Sequence, residues 1–420
     1  MKIALIVPSF PALSETFIVN KFLGLLDRGH DVWIVCDQSD PNEWNRFPRL
    51  VRRDLRQRVV VNWRKMPRWA AALTYPVALC RCAIVSPTAL FLYLVRGFGS
   101  SGFGILKRFY IDARLIEVGP EIVHFEFGAL AAKHMYLPRL LDASSVVSFR
   151  GHDLNFIGLD DPHYYKDVWE KADRLHFLGS DLQERARDRG CPADKACELV
   201  SPAIDADHFD TKDRSYEEHI GTAERPILLL SIGRMYWSKG HEYALQAIRS
   251  LIDQGLSVQL RIVGGGPYFD AVAFCRHQLG LVDAVDLVGP VAPHELQAYL
   301  GWADIFVHAA VSEGFSNAVV EAQAAGLPVV CSDADGLPEN IVDGITGFVV
   351  PRRDAAVLAD KIRILAADPS LRKNMGEAGR ERVRERFQLD QQTTAFERIY
   401  EKALHLDSSR NRPPGIWCRG

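Results

Sequence analysis

Glu313-Gly-Phe-Ser-Asn-Ala-Val-Val-Glu321 sets two carboxylates eight positions apart across a junction between a loop and a helix. Upstream, Ala303-Asp-Ile-Phe-Val-His308 reads as a short buried strand; downstream, 318–325 reads as a helix that Ser316 or Asn317 can cap. At such a junction the backbone N–H groups of Phe315, Ser316 and Asn317 point outward with the positive end of the helix dipole, and a diphosphate can sit there. Glu321, one turn in, can accept hydrogen bonds from vicinal hydroxyls such as those of a ribose, and Glu313 on the loop side can face a sugar ring. Taken alone, the two glutamates read equally well as a helix-start charge and a solvated loop acid.

Their neighbours separate these readings. The apolar strand Pro328-Val-Val-Cys331 follows, then the turn Ser332-Asp-Ala-Asp-Gly-Leu-Pro-Glu339 and the segment Asp343-Gly-Ile-Thr-Gly-Phe-Val-Val-Pro351. In that order these stretches resemble the C-terminal half of the retaining EX7E glycosyltransferases (family 4, group 1) of the GT-B fold. The resemblance implies that Glu313 and the amides of Gly314, Phe315, Ser316 and Asn317 orient the donor's sugar and phosphates, and that Glu321 binds the ribose.

With 420 residues, the chain is long for one core and suits two domains of roughly 200 residues each. Its net charge of −3 argues against a general nucleic-acid binder, which would be far more basic. The opening Met1-Lys-Ile-Ala-Leu-Ile-Val-Pro8 is a strand-length apolar run without a cleavage pattern, so no secretory signal is expected. Eight cysteines without a C-x-x-C pair fit a reduced cytoplasm better than disulfides or zinc.

Strand-like runs alternate with helical stretches throughout: 2–8, 31–36, 122–125, 146–149, 175–178 and 198–200, then 226–232, 258–263, 285–288, 305–307, 329–331 and 348–350. This rhythm predicts an α/β protein of two Rossmann-like domains, with ligands at the carboxyl ends of the strands and a cleft where the domains face. Charged residues crowd 205–225 and apolar periodicity lapses, which predicts a boundary there. The expected division is 1–205 for the acceptor and 206–389 for the nucleotide-sugar donor. The resemblance adds a helix at 390–406 returning to the first domain, and 407–420 reads as a disordered tail.

One segment stands apart. The runs 70–80 and 83–95 are strongly apolar, but Pro76, Arg81 and Pro87 leave no uninterrupted span of ~20 apolar residues. The basic region 46–114 around them carries Trp44, Trp63 and Trp69. Such a segment can dock on an anionic membrane at its inner face; it also reads as ordinary helices with a solvated basic face.

Ser231-Ile-Gly-Arg-Met-Tyr-Trp-Ser-Lys-Gly240 follows a strand and opens a helix near His241, placing two cations above the sheet. The resemblance implies that Arg234 and Lys239 hold the diphosphate. A leaving nucleoside diphosphate gains negative charge as the glycosidic bond breaks, so fixed cations lower the barrier and no metal or other cofactor is expected. In Val263-Gly-Gly-Gly-Pro267, Gly265 can let a base or ribose approach the backbone, though a tight turn explains the glycines as well. No G-x-G-x-x-G follows the first strand, which argues against NAD or FAD. Asp333-Ala-Asp335 has the D-x-D spacing of metal-dependent transferases, but in the resembled family this loop binds no metal.

In the first half, Pro8-Ser-Phe-Pro-Ala-Leu-Ser-Glu-Thr-Phe-Ile18 resembles the opening of colanic-acid-type exopolysaccharide transferases, with Ser14 able to cap the next helix. Ser148-Phe-Arg-Gly-His-Asp153 lies where the family shows Phe-His-Gly-x-Asp; Arg150 occupies the histidine position and His152 falls two residues later, so either is a candidate beside the transferred sugar. In His124-Phe-Glu-Phe-Gly128, Glu126 replaces the family's second histidine, and His124 reads as structural. Together these features predict a cytoplasmic, metal-independent, retaining glycosyltransferase that moves a sugar from a nucleotide-diphosphate donor to an acceptor such as a lipid-linked saccharide in surface polysaccharide or glycolipid synthesis. A sugar-nucleotide epimerase on the same plan and a non-catalytic nucleotide-sugar-binding protein remain as alternatives.

Overall fold

The computed structural model describes residues 1–12, 15–62, 68–209, 216 and 220–409. The chain divides into two compact units: Met1–Phe177, Gln183–Val200 and the chain from Thr393 onward form the first, and Leu178–Leu182 with Ser201–Gln392 form the second.

The first unit is built on seven strands: β1 Lys2–Ser9, β2 Asp31–Gln38, β3 Val59–Val61, β4 Ile122–Phe125, β5 Ser144–Phe149, β6 Arg174–Phe177 and β7 Cys197–Leu199. All pair in parallel, in the order β3-β2-β1-β4-β5-β6-β7. A parallel sheet is covered on both faces, so its strands must be apolar along their length, and β1 accordingly buries Ile3, Ala4, Leu5 and Val7. The chain starts at mid-sheet, winds outward to β3 and returns beside β1, so the order reverses between β1 and β4. Five helices matter below: α1 Thr16–Asp27, α2 Arg68–Val85, α3 Pro87–Ser101, α4 Gly104–Val118 and α5 Gly151–Phe156.

The last helix, Leu389–Ser409, closes this core by adding Phe396, Ile399, Tyr400 and Ala403 to Ile3, Leu5, Phe22 and Ile34. A buried chain of hydrogen bonds runs from it across the sheet. Tyr400 Oη lies 2.7 Å from His124 Nδ1, His124 Nε2 2.7 Å from Ser148 Oγ, Ser148 Oγ 2.7 Å from His176 Nδ1, and His176 Nε2 2.9 Å from the Val200 carbonyl. A carbonyl only accepts, so His176 donates through Nε2 and accepts through Nδ1, which orients every proton back to the tyrosine hydroxyl. Burial favours the neutral imidazoles this requires: it takes His176 down to about 3 and His124 well below its usual value.

Glu126, fully buried beyond β4, receives Lys21 Nζ from α1 at 2.7 Å and Arg150 Nη2 from the β5 loop at 2.8 Å. Burial alone would raise its pKa, but Lys21 and Arg150 outweigh it and hold the carboxyl ionised, below the ordinary range. Burial takes Lys21 down to about 8 against the pull of Glu126. The cations are also stacked, Lys21 over Phe396 at 3.5 Å and Arg150 over Phe17 at 4.1 Å.

Six parallel strands make the second sheet: β8 Ile227–Ile232, β9 Val258–Val263, β10 Val285–Gly289, β11 Ile305–His308, β12 Val329–Ser332 and β13 Gly347–Val350. Their order is β10-β9-β8-β11-β12-β13, which reverses between β8 and β11. Leu229, Leu260, Ile262, Ile305 and Val307 from the strands pack with Leu245 and Ile248 of α6 His241–Asp253. The helix after β11 is α7 Asn317–Ala324.

Some expectations fall outside the described residues: the Ser14 cap, Trp63, residues 210–215 and 217–219 of the expected boundary, and residues 410–420 of the tail. Residues 407–409 continue the last helix. The strand expected at 198–200 runs Cys197–Leu199, and β3, a three-residue edge strand, was not anticipated.

Removing Glu126 leaves two buried cations without a counter-charge, whereas removing Lys21 leaves Glu126 still paired to Arg150. Glu126→Gln is therefore expected to cost about 3–5 kcal/mol in chemical denaturation of the first unit. Lys21→Met is expected to cost clearly less, and the reverse order would show that the cations do not depend on the carboxylate.

Candidate active site

In an open parallel sheet, the loops that leave two adjacent strands on opposite faces part at the point where the order reverses, and the gap between them is a ligand site. In the second unit that point lies beyond β8 and β11. Beyond β8 the chain runs through Gly233, Arg234 and Met235 to a single 3₁₀ turn, Trp237–Lys239, and then enters α6. Beyond β11 it runs from His308 to Glu313 before α7.

The two loops are bonded to each other. Ser238 C=O accepts from Val311 N–H at 2.7 Å and from Ser312 N–H at 3.1 Å. Gly240, at φ 60°, makes the approach feasible, since a Cβ there would stand 2.1 Å from the Ala309 carbonyl oxygen. This contact brings the Lys239 ammonium onto Glu313, and His308 Nε2 lies 3.3 Å from the same carboxylate oxygen. Burial would raise the Glu313 pKa, but Lys239 and the His308 hydrogen bond overcome it and bring the carboxyl down to about 2. Burial lowers His308, and with His308 alongside it takes His241 down to about 4. Near neutral pH the cluster is thus one carboxylate, one ammonium and two uncharged imidazoles.

Arg234 is exposed on the β8 loop and has no ion pair among the described residues. Its loop is braced from below by the glycine run after β9. A Cβ at Gly266, at φ 156°, would stand 2.4 Å from the Met235 carbonyl oxygen, while Gly265 C=O accepts from Met235 N–H at 2.9 Å. Contact between two protein loops therefore accounts for Gly264 and Gly266, whereas a Cβ at Gly265, the glycine expected to admit a base or ribose, would meet only Pro290.

At the start of α7, Ser316 occupies the cap position without a side-chain cap bond. Its N–H donates to Asn340 Oδ1 at 3.1 Å, and Asn340 Nδ2 returns a bond to Ser316 C=O at 2.8 Å. The Ser316 amide, expected to point toward a phosphate, is thus committed to the protein. The N–H groups of Gly314, Phe315 and Asn317 have no partner among the described residues, and the Phe315 ring packs 5.8 Å from that of Phe387. Gly336 N–H donates to the Glu313 carbonyl at 3.0 Å and backs this turn. Glu321, part-buried on α7, has no hydrogen bond or ion pair from its carboxylate among the described residues, and burial pushes it up to about 7. Asp333 and Asp335 are both held by Arg352, at 3.1 and 2.9 Å.

Arg234, Lys239, Gly265, Glu313, Gly314, Phe315, Ser316, Asn317 and Glu321 thus all lie on segments leaving β8, β9 and β11 in one unit. Arg150 and His152 belong to the other unit. There Arg150 is turned into the buried cluster with Glu126, which makes it a structural cation and not a group open to a substrate. His152 is exposed, its ring 5.5 Å from that of Phe156. Sequence reasoning missed His308, His241 and Asn340. His308 was visible only as the end of a strand, where its position beside a later acid was the available signal; Asn340 gave none.

Residues 213–382 match the family model described as glycosyl transferases group 1. The amylovoran biosynthesis glycosyltransferase AmsK of Erwinia amylovora is 29% identical over 86% of this chain and 89% of its own length. The GDP-mannose-dependent alpha-(1-6)-phosphatidylinositol monomannoside mannosyltransferase of Mycobacterium tuberculosis is 30% identical over 63% of this chain and 72% of its own. Among solved structures, Anabaena HepE in complex with UDP and glucose superposes with a TM-score of 0.70 at 14% identity, covering 96% of this chain and 99% of that one. With two parallel-sheet α/β units in the GT-B arrangement of strands and relatives of this similarity, the chain belongs to the group 1 glycosyl transferases and is a glycosyltransferase.

Proposed function

We propose that the second unit binds a nucleoside-diphosphate sugar at the β8/β11 reversal and transfers the sugar with retention of anomeric configuration. The observation that carries this reading is Glu321, a part-buried carboxylate without a partner among the described residues, one turn into a helix whose preceding amides at Gly314, Phe315 and Asn317 are likewise unengaged there. A carboxylate left in that state is stabilised by the two donors of a ribose diol, and the amides by phosphate oxygens. Arg234 and Lys239 supply positive charge for the diphosphate, so the reading needs no divalent cation. Lys239 is paired with Glu313 in this structure, and an arriving diphosphate would compete for it and release Glu313 toward the sugar hydroxyls.

In the transfer itself, the acceptor hydroxyl oxygen bonds to the anomeric carbon as the bond from that carbon to the phosphate oxygen breaks. The hydroxyl proton passes to the departing phosphate on the same face, which explains how retention can proceed without a protein nucleophile. Relatives supply the substrate class: HepE was solved with UDP and glucose, the mycobacterial enzyme is named for GDP-mannose and a phosphatidylinositol mannoside, and AmsK for amylovoran. By extension, the acceptor here is a saccharide of surface polysaccharide or glycolipid synthesis, carried on a lipid.

A thermal-shift panel of UDP-, GDP- and ADP-sugars tests donor binding, because a ligand that binds only the native state raises the melting temperature. One nucleotide series is expected to stabilise the protein, and a flat response across all three would refute the proposal. Lys239→Ala is expected to slow nucleoside-diphosphate release from that donor by about 10²–10³-fold, and also to lower the unliganded melting temperature, because Glu313 loses its counter-charge.

The Glu321 carboxyl also predicts a pH dependence. Its pKa stands at about 7 and the ionised form is the better acceptor for two hydroxyls, so donor affinity should rise with pH through that value. From pH 6 to pH 8 the dissociation constant is expected to fall by up to about tenfold, by calorimetry, and Glu321→Gln should flatten the profile.

A further inference from the structure

Between β3 and β4 the first unit carries α2, α3 and α4, whose outer surface has no partner among the described residues. The inner sides of these helices are well packed. Cys82 Sγ reaches the Ala113 carbonyl, the Tyr93 hydroxyl donates to Asp112 at 2.6 Å, and Tyr75 and Tyr93 both lie against Phe109. The outer sides are apolar at helical spacing. On α2, Leu73, Val77 and Ile84 recur at i, i+4 and i+11, with exposures of 71, 52 and 80%. On α3, Phe91 and Val95 are 65 and 54% exposed, and Phe103 at the turn into α4 is 81% exposed. Large apolar side chains this exposed and this regularly spaced mark an interaction surface.

Charge indicates what covers it. Residues 55–111 contain no aspartate or glutamate, but nine lysines and arginines. Arg81 sits within the α2 stripe between Val77 and Ile84, sharing Glu117, and Lys107 and Arg108 are exposed just after Phe103. The geometry excludes crossing by either helix alone: the path turns by 119° between 73–85 and 87–100, and no single described helix is long and apolar enough to span a bilayer. Apolar stripes on short helices, flanked by cations and free of acids, are the composition of a surface that lies in the headgroup region of an anionic membrane.

We propose that the outward faces of α2 and α3, with the turn at Phe103, seat this protein on an anionic lipid surface. Aliphatic and phenyl groups enter the acyl boundary, while Arg81, Lys107 and Arg108 stay at the phosphates. Donor binding involves the other unit, so the two proposals fail separately: loss of vesicle binding leaves the donor-induced thermal shift intact, and the converse holds.

The test is flotation of the full chain with phosphatidylcholine vesicles, with and without about 30 mol% phosphatidylglycerol. Binding is expected to be at least about tenfold tighter to the anionic vesicles and to weaken with salt. The double variant Val77→Glu/Phe91→Glu should lose at least about tenfold in binding to the same vesicles, at an unchanged melting temperature. Phe91→Trp adds a ninth indole at the surface, and the difference between its emission and that of the unaltered protein should shift to the blue on anionic vesicles. Absence of vesicle binding by the unaltered protein, equal binding by the double variant, an unshifted Phe91→Trp emission, or a dimer that the double variant dissociates would each overturn the proposal.

Discussion

The donor half of the molecule depends on the contact between the β8 and β11 loops. Two strands adjacent at a reversal of order send their chains to opposite faces, so nothing in the sheet itself obliges their loops to touch. Here they do, because Ser238 C=O takes two amides from the opposite loop and Gly240 leaves room for the Ala309 carbonyl. Any Cβ at Gly240 would push the loops apart and separate Lys239 from Glu313. The ion pair therefore follows from backbone geometry, and the charges of the site are set before any ligand arrives. That is the sense in which the site is preorganised: Glu313 is ionised, the neighbouring imidazoles are neutral, and Arg234 faces solvent.

The first unit treats its charges differently. Glu126 is sealed between Lys21 and Arg150, and the cost of burying three ions is offset by close pairing and by two aromatic faces. Arg150 is held there instead of projecting from the β5 loop. Asp153 fixes the same loop by accepting from Arg150 N–H at 2.8 Å and from Ala129 N–H at 2.9 Å, which ties the turns after β4 and β5 together. At the start of the β5 loop this chain thus has a cation that completes a core.

Much of the architecture was legible because parallel sheets announce themselves. β1, β8 and β12 carry continuous apolar runs, and such runs alternating with helices leave few other topologies. Short edge strands are harder, since β3 is three valines with a basic stretch on one side, and only its pairing with β2 makes it a strand. At the site, residue types and spacing identified Arg234, Lys239, Glu313 and Glu321. Their partners were not readable, because Asn340 meets Ser316 from 24 positions away and His308 matters only once Glu313 folds back over it. The glycine run after β9 was ambiguous for a related reason: a loop pressed against another loop and a loop pressed against a nucleotide need the same residue.

The helix at 389–409 has a consequence for biosynthesis. Phe396, Ile399 and Tyr400 fill a core whose other walls are made from the first strands of the chain, and Tyr400 terminates the hydrogen-bonded file through His124 and His176. A ribosome must therefore translate through Ala403 before the segment that carries β1 can complete its interior. Until then that half lacks part of its apolar core and His124 lacks the hydroxyl that donates to it, and it is a natural client for a chaperone. A stop codon shortly before Phe396 would damage the core around β1, nearly 400 residues upstream.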